Sequence, residues 1–165
     1  MPSATDLEAR FVADVEAAAA TVAKLARLYA RDPHEADDLR QEILLQAWRA
    51  YPRFAGESAF ATWVYRVGVH VGLTWTRSRR RRDERETRFG ASLTVTEAEP
   101  ASPAAERLYA AIRALAPVDR TVISMSLDGY GHAEIAETLG VSAGAVATRA
   151  SRIRARLRER LTPPT

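Results

Sequence analysis

The tightest constraint on this chain lies in residues 130–161, YGHAEIAETLGVSAGAVATRASRIRARLRERL. The pattern predicts a short helix, a tight turn and a longer second helix. Ile135, Ala136 and Leu139 supply the apolar face of the first helix. Gly140 then stands where a helix C-terminus needs a residue that tolerates positive φ. Ser142 suits the N-cap of the second helix. Within that helix Val146, Ala150, Ile153, Leu157 and Leu161 recur at steps of three and four, so they share one face. Arg149, Arg152, Arg154, Arg156, Arg158 and Arg160 lie off it. A small residue at 136 for close crossing, a glycine at the turn and an apolar anchor at 146 are the requirements of a DNA-binding helix-turn-helix. The rival reading is a plain αα-hairpin with a solvated charged face. The coincidence of turn glycine, N-cap and basic helix favours DNA.

Charge placement extends the argument. Residues 1–65 hold seven Lys/Arg against ten Asp/Glu, a net of −3, whereas residues 66–165 hold seventeen against eleven, a net of +6. An acidic front and a basic back suggest two different partners, the second polyanionic. Lys24 is the single lysine, and arginine forks suit phosphates and guanine edges. With no cysteine there is no disulfide, thiolate zinc site or thiol switch to consider. The opening MPSATDLEARF lacks a basic start followed by an apolar run, so no secretory signal is expected. No apolar stretch is long enough to span a bilayer. The expected location is therefore cytoplasmic, without membrane insertion.

Helix formers dominate and β-branched runs are short, so the expected fold is all-α. A first helix is predicted from about Asp6 to Ala30, striped by Leu7, Phe11, Val15, Ala18, Val22, Leu25 and Leu28. Asp32-Pro33-His34-Glu35 reads as a helix start, with Asp32 capping, Pro33 in the first turn and Glu35 closing a capping box. That second helix runs to about Tyr51, where Pro52 ends it. Ser58 is the expected N-cap of a third helix, striped by Phe60, Val64, Val67, Val71 and Trp75 and ending in RSRRRRDER. Residues 89–103 change to small, polar and mildly acidic types with two prolines, which predicts a linker. The expected domains are thus 5–88, a helical bundle, and 104–163, which carries the helix-turn-helix. In the second of these Leu108, Ile112 and Leu115 begin the core and Pro117 opens a helix with Val118, Val122, Ile123 and Met125.

Two further constellations bear on chemistry. Arg77 to Arg88 form a second basic site, with Phe54, Phe60, Trp63, Tyr65 and Trp75 just upstream. Unpaired bases need faces to stack on and charge to hold the backbone, and each stacked base is worth about 1–3 kcal/mol. Phe60 and Trp75 fit the core better; for Trp63 and Tyr65, ligand contact and core both remain open. The polar face Asp37, Asp38, Arg40, Gln41, Glu42, Gln46 and Arg49 is open to two readings, a solvated surface or a docking face for a protein. Enzyme signals are weak. His34 and Asp38 are one turn apart, but no third metal ligand lies nearby, and there is no phosphate loop or nucleophile context. No enzyme activity, cofactor or metal is expected.

The segment ADDLRQEILLQAWRAYPRFAGESAFATWVYRVGVHVGLTWTRSRRRR resembles region 2 of bacterial sigma factors. Residues 114–161 resemble region 4 of the same family. The pair looks like the small extracytoplasmic-function (ECF) group of the sigma-70 superfamily. The motifs D-L-x-Q-E, F-x-G-x-S-x-F-x-T-W-x-Y-R and E-I-A-E-x-L-G-V occur in the family's order. The resemblance implies that Asp38, Leu39, Gln41 and Glu42 dock on the β′ clamp helices of RNA polymerase core, with the β flap as a further contact. It implies that Phe54, Ser58, Trp63, Tyr65, Arg66, His70 and Arg77 capture the melted −10 strand. Thr148, Arg149 and Arg152 would read the −35 element as duplex, and the linker would thread the RNA exit path. Promoter DNA and an anti-sigma factor are the other implied partners. Two positions depart from the family: its usual asparagine is His70 here, and a usual Lys or Arg is Ala147. The rival from another class is a stand-alone helix-turn-helix regulator, which leaves Asp38–Glu42 and the aromatics near Trp63 without a role.

Overall fold

Two glycines set the packing of the first half of the chain. In the computed structural model, which describes residues 3–86 and 102–162, helices α1 (Ala4–Ala17), α2 (Ala19–Tyr29), α3 (Pro33–Ala50) and α4 (Phe60–Glu86) build that half. A Cβ placed on Gly72 would lie 2.1 Å from a ring carbon of Tyr29, and one on Gly68 would lie 2.6 Å from Leu25 Cδ1. Tyr29 and Leu25 are fully buried, so α2 lies directly on the bare backbone of α4. The inward line of α4 is accordingly Val64, Tyr65, Gly68, Val69, Gly72 and Thr76. The predicted stripe through Val67, Val71 and Trp75 sits only half-buried on the flank. Glycine adds nothing to an apolar periodicity, yet it marks the closest approach, and this rotates the true contact face.

Other expectations are also corrected. The first predicted helix is two, α1 and α2, because Ala18 leaves helical geometry at φ −101° and ψ 9°. The ladder still carries across, with Ala18 N–H reaching the Asp14 and Val15 carbonyls at 3.1 Å. The two segments serve different neighbours: Phe11 of α1 packs on Trp48, Tyr51 and Phe60, whereas Val22, Leu25, Ala26 and Tyr29 of α2 enter the core. Ser58 does not cap α4, whose first backbone bond runs from Trp63 N–H to the Ala59 carbonyl. Asp32 does cap α3, accepting from Glu35 N–H at 2.8 Å. Glu35 does not close the box on Asp32. Its Oε2 reaches one residue farther, to Arg31 N–H at 2.6 Å, and also accepts from Arg79 Nη1 at 2.8 Å.

The second half holds α5 (Pro103–Arg113), α6 (Pro117–Leu127), α7 (His132–Leu139) and α8 (Ala143–Leu161). Ser102 caps α5, accepting from Ala105 N–H at 3.1 Å, so residues 102 and 103 belong to a helix start and not to the expected linker. The remainder of that expected linker, 89–101, lies outside the described residues. Gly140 adopts φ +68°, and Val141 N–H closes back on the Ala136 carbonyl at 3.0 Å, which stops α7. Ser142 Oγ accepts from Ala145 N–H at 3.1 Å and starts α8. Ile112, Leu115, Val122, Ile123, Met125, Ile135, Val146, Ala150, Ile153 and Leu157 form this core. Leu161, at the end of the stripe, is 38% exposed. The chain divides into two compact units, Met1–Ala98 and Glu99–Thr165. No helix among the described residues is long and apolar enough to cross a membrane.

Candidate nucleic-acid interface

In the second unit the apolar stripe of α8 pins the helix to α5, α6 and α7, which leaves Thr148, Arg149 and Arg152 exposed. Together with Gly144, Ala145, Ile153, Arg156 and Asp119 they line a concavity of about 480 Å³. Asp119 of α6 is an acid inside this basic surface. Its Oδ1 accepts from Arg149 Nη1 at 2.7 Å, and Arg156 Nη1 lies 3.7 Å from Oδ2. The sequence gives no local cue to the pairing, because thirty positions separate the partners. Ala147 is half-buried.

In the first unit Trp63, Arg66, His70 and Arg77 stand at i, i+3, i+7 and i+14 on α4, so they share one face. Tyr65 points elsewhere. It is 4% exposed and belongs to the core, so it offers no face for a base to stack on. Trp63 is half-buried in an aromatic cluster, with its centroid 5.0 Å from Phe54 and 5.4 Å from Phe60. Phe11, Trp48 and Tyr51 continue the cluster. Tyr51 anchors it by donating its hydroxyl to Asp14 Oδ2 at 2.5 Å. Burial first, and the Asp14 hydrogen bond second, raise the Tyr51 phenol above its ordinary value. Ser58 is exposed in the loop that precedes α4, near Gly56 at φ +72°.

The arginine run of α4 divides by direction. Arg79 turns inward: its Nη1 donates to the Tyr29 carbonyl at 2.9 Å and to Glu35 at 2.8 Å, and both side chains are 11% exposed. Arg31 reaches back across the same junction to both oxygens of Asp83, at 3.1 and 3.2 Å. These contacts tie the end of α4 to the α2–α3 connection. Arg77, Arg80, Arg81, Arg82 and Arg85 stay exposed. Arg88 lies outside the described residues.

The predicted docking residues of α3 also separate. Leu39 is fully buried and is a core residue, not a contact. Asp38 and Gln41 are exposed, and Glu42 is half-buried with its Oε1 accepting from Gln46 Nε2 at 2.7 Å. Leu45, which periodicity did not single out, is 42% exposed and shares the face of Asp38, Gln41 and Arg49. This face of α3 therefore presents one apolar side chain among polar ones. Glu42 and Gln46 also meet His70, Val67, Val71 and Trp75 across a groove of about 690 Å³ between α3 and α4. Trp75 Nε1–H is buried at this groove without a hydrogen-bond partner. The Asp38 carboxylate lies 3.5 Å from His34 Nδ1, and no third metal ligand joins them among the described residues.

A family model described as Sigma-70 region 2 matches residues 15–82, and one described as Sigma-70, region 4 matches residues 105–157. The ECF RNA polymerase sigma factor SigM of Mycobacterium tuberculosis is 32% identical over 144 residues, covering 81% of this chain and 68% of that protein. RNA polymerase sigma factor NccH of Alcaligenes xylosoxydans xylosoxydans is 32% identical over 149 residues, covering 82% and 78%. The ECF RNA polymerase sigma factor SigG of M. tuberculosis is likewise 32% identical, over 75% of this chain, but the match spans 41% of SigG's length. Among solved structures, the sigma factor RpoE in complex with the anti-sigma factor NepR from Bartonella quintana has the same fold. Its TM-score is 0.75, with 22% identity and coverage of 92% of this chain and 96% of that one. CnrH, in complex with the cytosolic domain of CnrY, follows with a TM-score of 0.63 at 24% identity, covering 92% and 87%.

Proposed function

Since the chain belongs to the sigma-70 family and its ECF group, we propose that it is an RNA polymerase sigma subunit with two separate DNA-binding surfaces. It brings core polymerase to a promoter and has no reaction of its own to catalyse. The observation that carries this reading is the face of α3 where exposed Leu45 stands among Asp38, Gln41 and Arg49, beside the groove of Glu42. A stand-alone regulator has no use for such a surface. It faces the β′ clamp helices.

DNA then meets two different chemistries. Thr148, Arg149 and Arg152 read the −35 duplex in the major groove, where arginine forks match guanine edges. The α4 face of Trp63, Arg66, His70 and Arg77, with Phe54 and Ser58 at the preceding loop, holds the melted −10 strand by stacking and charge. Phe54 and Trp63 are packed on each other, so one side of the pair supports the other while a base stacks outside. An anti-sigma factor is a further expected partner, since the RpoE structure of the same fold holds one.

Reconstitution with bacterial core polymerase tests the reading. Glu42→Arg should weaken core binding first, and Arg149→Ala should lower promoter-specific transcription by about tenfold while core binding is retained, the cost of one lost bidentate base contact. Failure of the wild-type chain to bind core, or equal loss of both activities from either change, would contradict it.

A further inference from the structure

Asp119 is the one acid lining the concavity of α8, and its surroundings give it a definite task. It sits in the first turn of α6, at the positive end of that helix, and is 9% exposed. Arg149 bonds one of its oxygens at 2.7 Å, and Arg156 stands 3.7 Å from the other. A carboxylate held between two guanidinium groups at a helix N-terminus is fixed in place. Because the contact takes a single Nη of Arg149, most of the guanidinium fork remains available, and the side chain is 49% exposed.

A long arginine that swings freely gives up rotamer entropy when it binds a base. One pinned at Nη1 presents its remaining edge in a set direction, and that edge matches the O6 and N7 acceptors of guanine. Position 147, two residues before Arg149, is an alanine and offers no second fork there. We propose that Asp119 is a positioning residue: it fixes Arg149 for bidentate reading of one guanine in the −35 duplex, and thereby sets the base preference of α8. This rests on the sigma reading above.

The test uses the full chain assembled with core polymerase, on the promoter located by mapping transcript 5′ ends after overexpression. Each guanine of the −35 element is replaced in turn by 7-deazaguanine, which lacks the N7 acceptor. At one guanine the replacement should cost the wild type about tenfold in promoter affinity but the Asp119→Asn variant less than about twofold, since the pinned fork is what reads that base. Asp119→Glu, which keeps the charge, should recover part of the sensitivity. The salt dependence of binding should be the same in all three, because phosphate contacts are untouched. A carboxylate that merely supported the fold would lower the melting temperature without changing the sensitivity to any base.

Equal sensitivity of wild type and Asp119→Asn at every position overturns the inference, as does a −35 element without guanine. Uniform tightening on all duplexes also overturns it, because that marks Asp119 as a competitor for Arg149. Should Asp119→Asn fail to fold, Asp119→Glu decides the matter: sensitivity below wild type at one guanine supports the inference, and unchanged sensitivity overturns it. A wild-type chain that gives no promoter-dependent transcript overturns the sigma reading itself, which is a distinguishable result.

Discussion

Helices α4 and α8 both carry dense arginines and both form part of a DNA-binding proposal, yet they are held in opposite ways. In α8 the apolar stripe seats the helix, and every arginine from Arg149 to Arg160 stays on the surface. In α4 the seat is two glycines, and one arginine of the basic run, Arg79, is spent inside as a clasp. A run of like charges is therefore not one object. Its members divide by helical phase and by what the neighbouring segments leave unsatisfied, here the Tyr29 carbonyl at the end of α2 and the Glu35 carboxylate. In α8 the acid comes from a distant helix and leaves Arg149 half-exposed, so this ion pair keeps its arginine at the surface where that of Arg79 draws it inside.

The largest effect that would sharpen this contrast is on Arg79. Arg79→Ala takes the nearest cation from the largely covered Glu35 and the donor from the Tyr29 carbonyl, and should lower the stability of the first unit by roughly 3 kcal/mol. Arg81→Ala, on the exposed side of the same run, should leave thermal unfolding nearly unchanged. Equal melting of the two variants would break the division into inward and outward arginines. Gly72→Ala comes next. The added methyl meets the fully buried Tyr29 ring, so about 1–3 kcal/mol of overpacking is expected in the first unit. Hydrogen exchange should show α2 and α4 opening while α8 keeps its protection.

Smaller effects probe the other side. Ser142→Ala removes the cap of α8 and should cost about 1 kcal/mol in the second unit, read by chemical denaturation. The smallest is a pH dependence. The raised Tyr51 phenol favours its neutral form in the folded state, so its stabilising contribution is complete below about pH 10, the ordinary tyrosine value, and is lost as pH rises through the folded value. Tyr51→Phe should flatten that alkaline decline; an unchanged slope would remove Tyr51 from the aromatic anchor role.

How legible was this molecule in its residues? The helix-turn-helix was almost wholly so. Gly140, Ser142 and the 146–157 stripe are local signals, each acting within a turn or two of backbone, and the structure places them as read. The cap at Asp32 and the helix start at Pro33 were legible for the same reason. The α4 stripe was misjudged because periodicity weighs side chains, and Gly68 and Gly72 have none. Tyr65 and Leu39 were assigned to partners by motif, although burial makes them core. Leu45 falls off the apolar stripe of its helix, so periodicity gives no reason to notice it.

Local chemistry thus settles that the fold is all-α, where several helices start and stop, and that a basic helix follows the turn at Gly140. Those properties depend on groups a few residues apart, whose interactions survive without the rest of the molecule. Which arginines are free, which acid holds Arg149, and which face of α4 meets α2 depend on contacts thirty to fifty residues apart. Such contacts exist only once the helices have packed. Packing is governed by shape and by the satisfaction of buried charge, neither of which can be read along a single strand of letters.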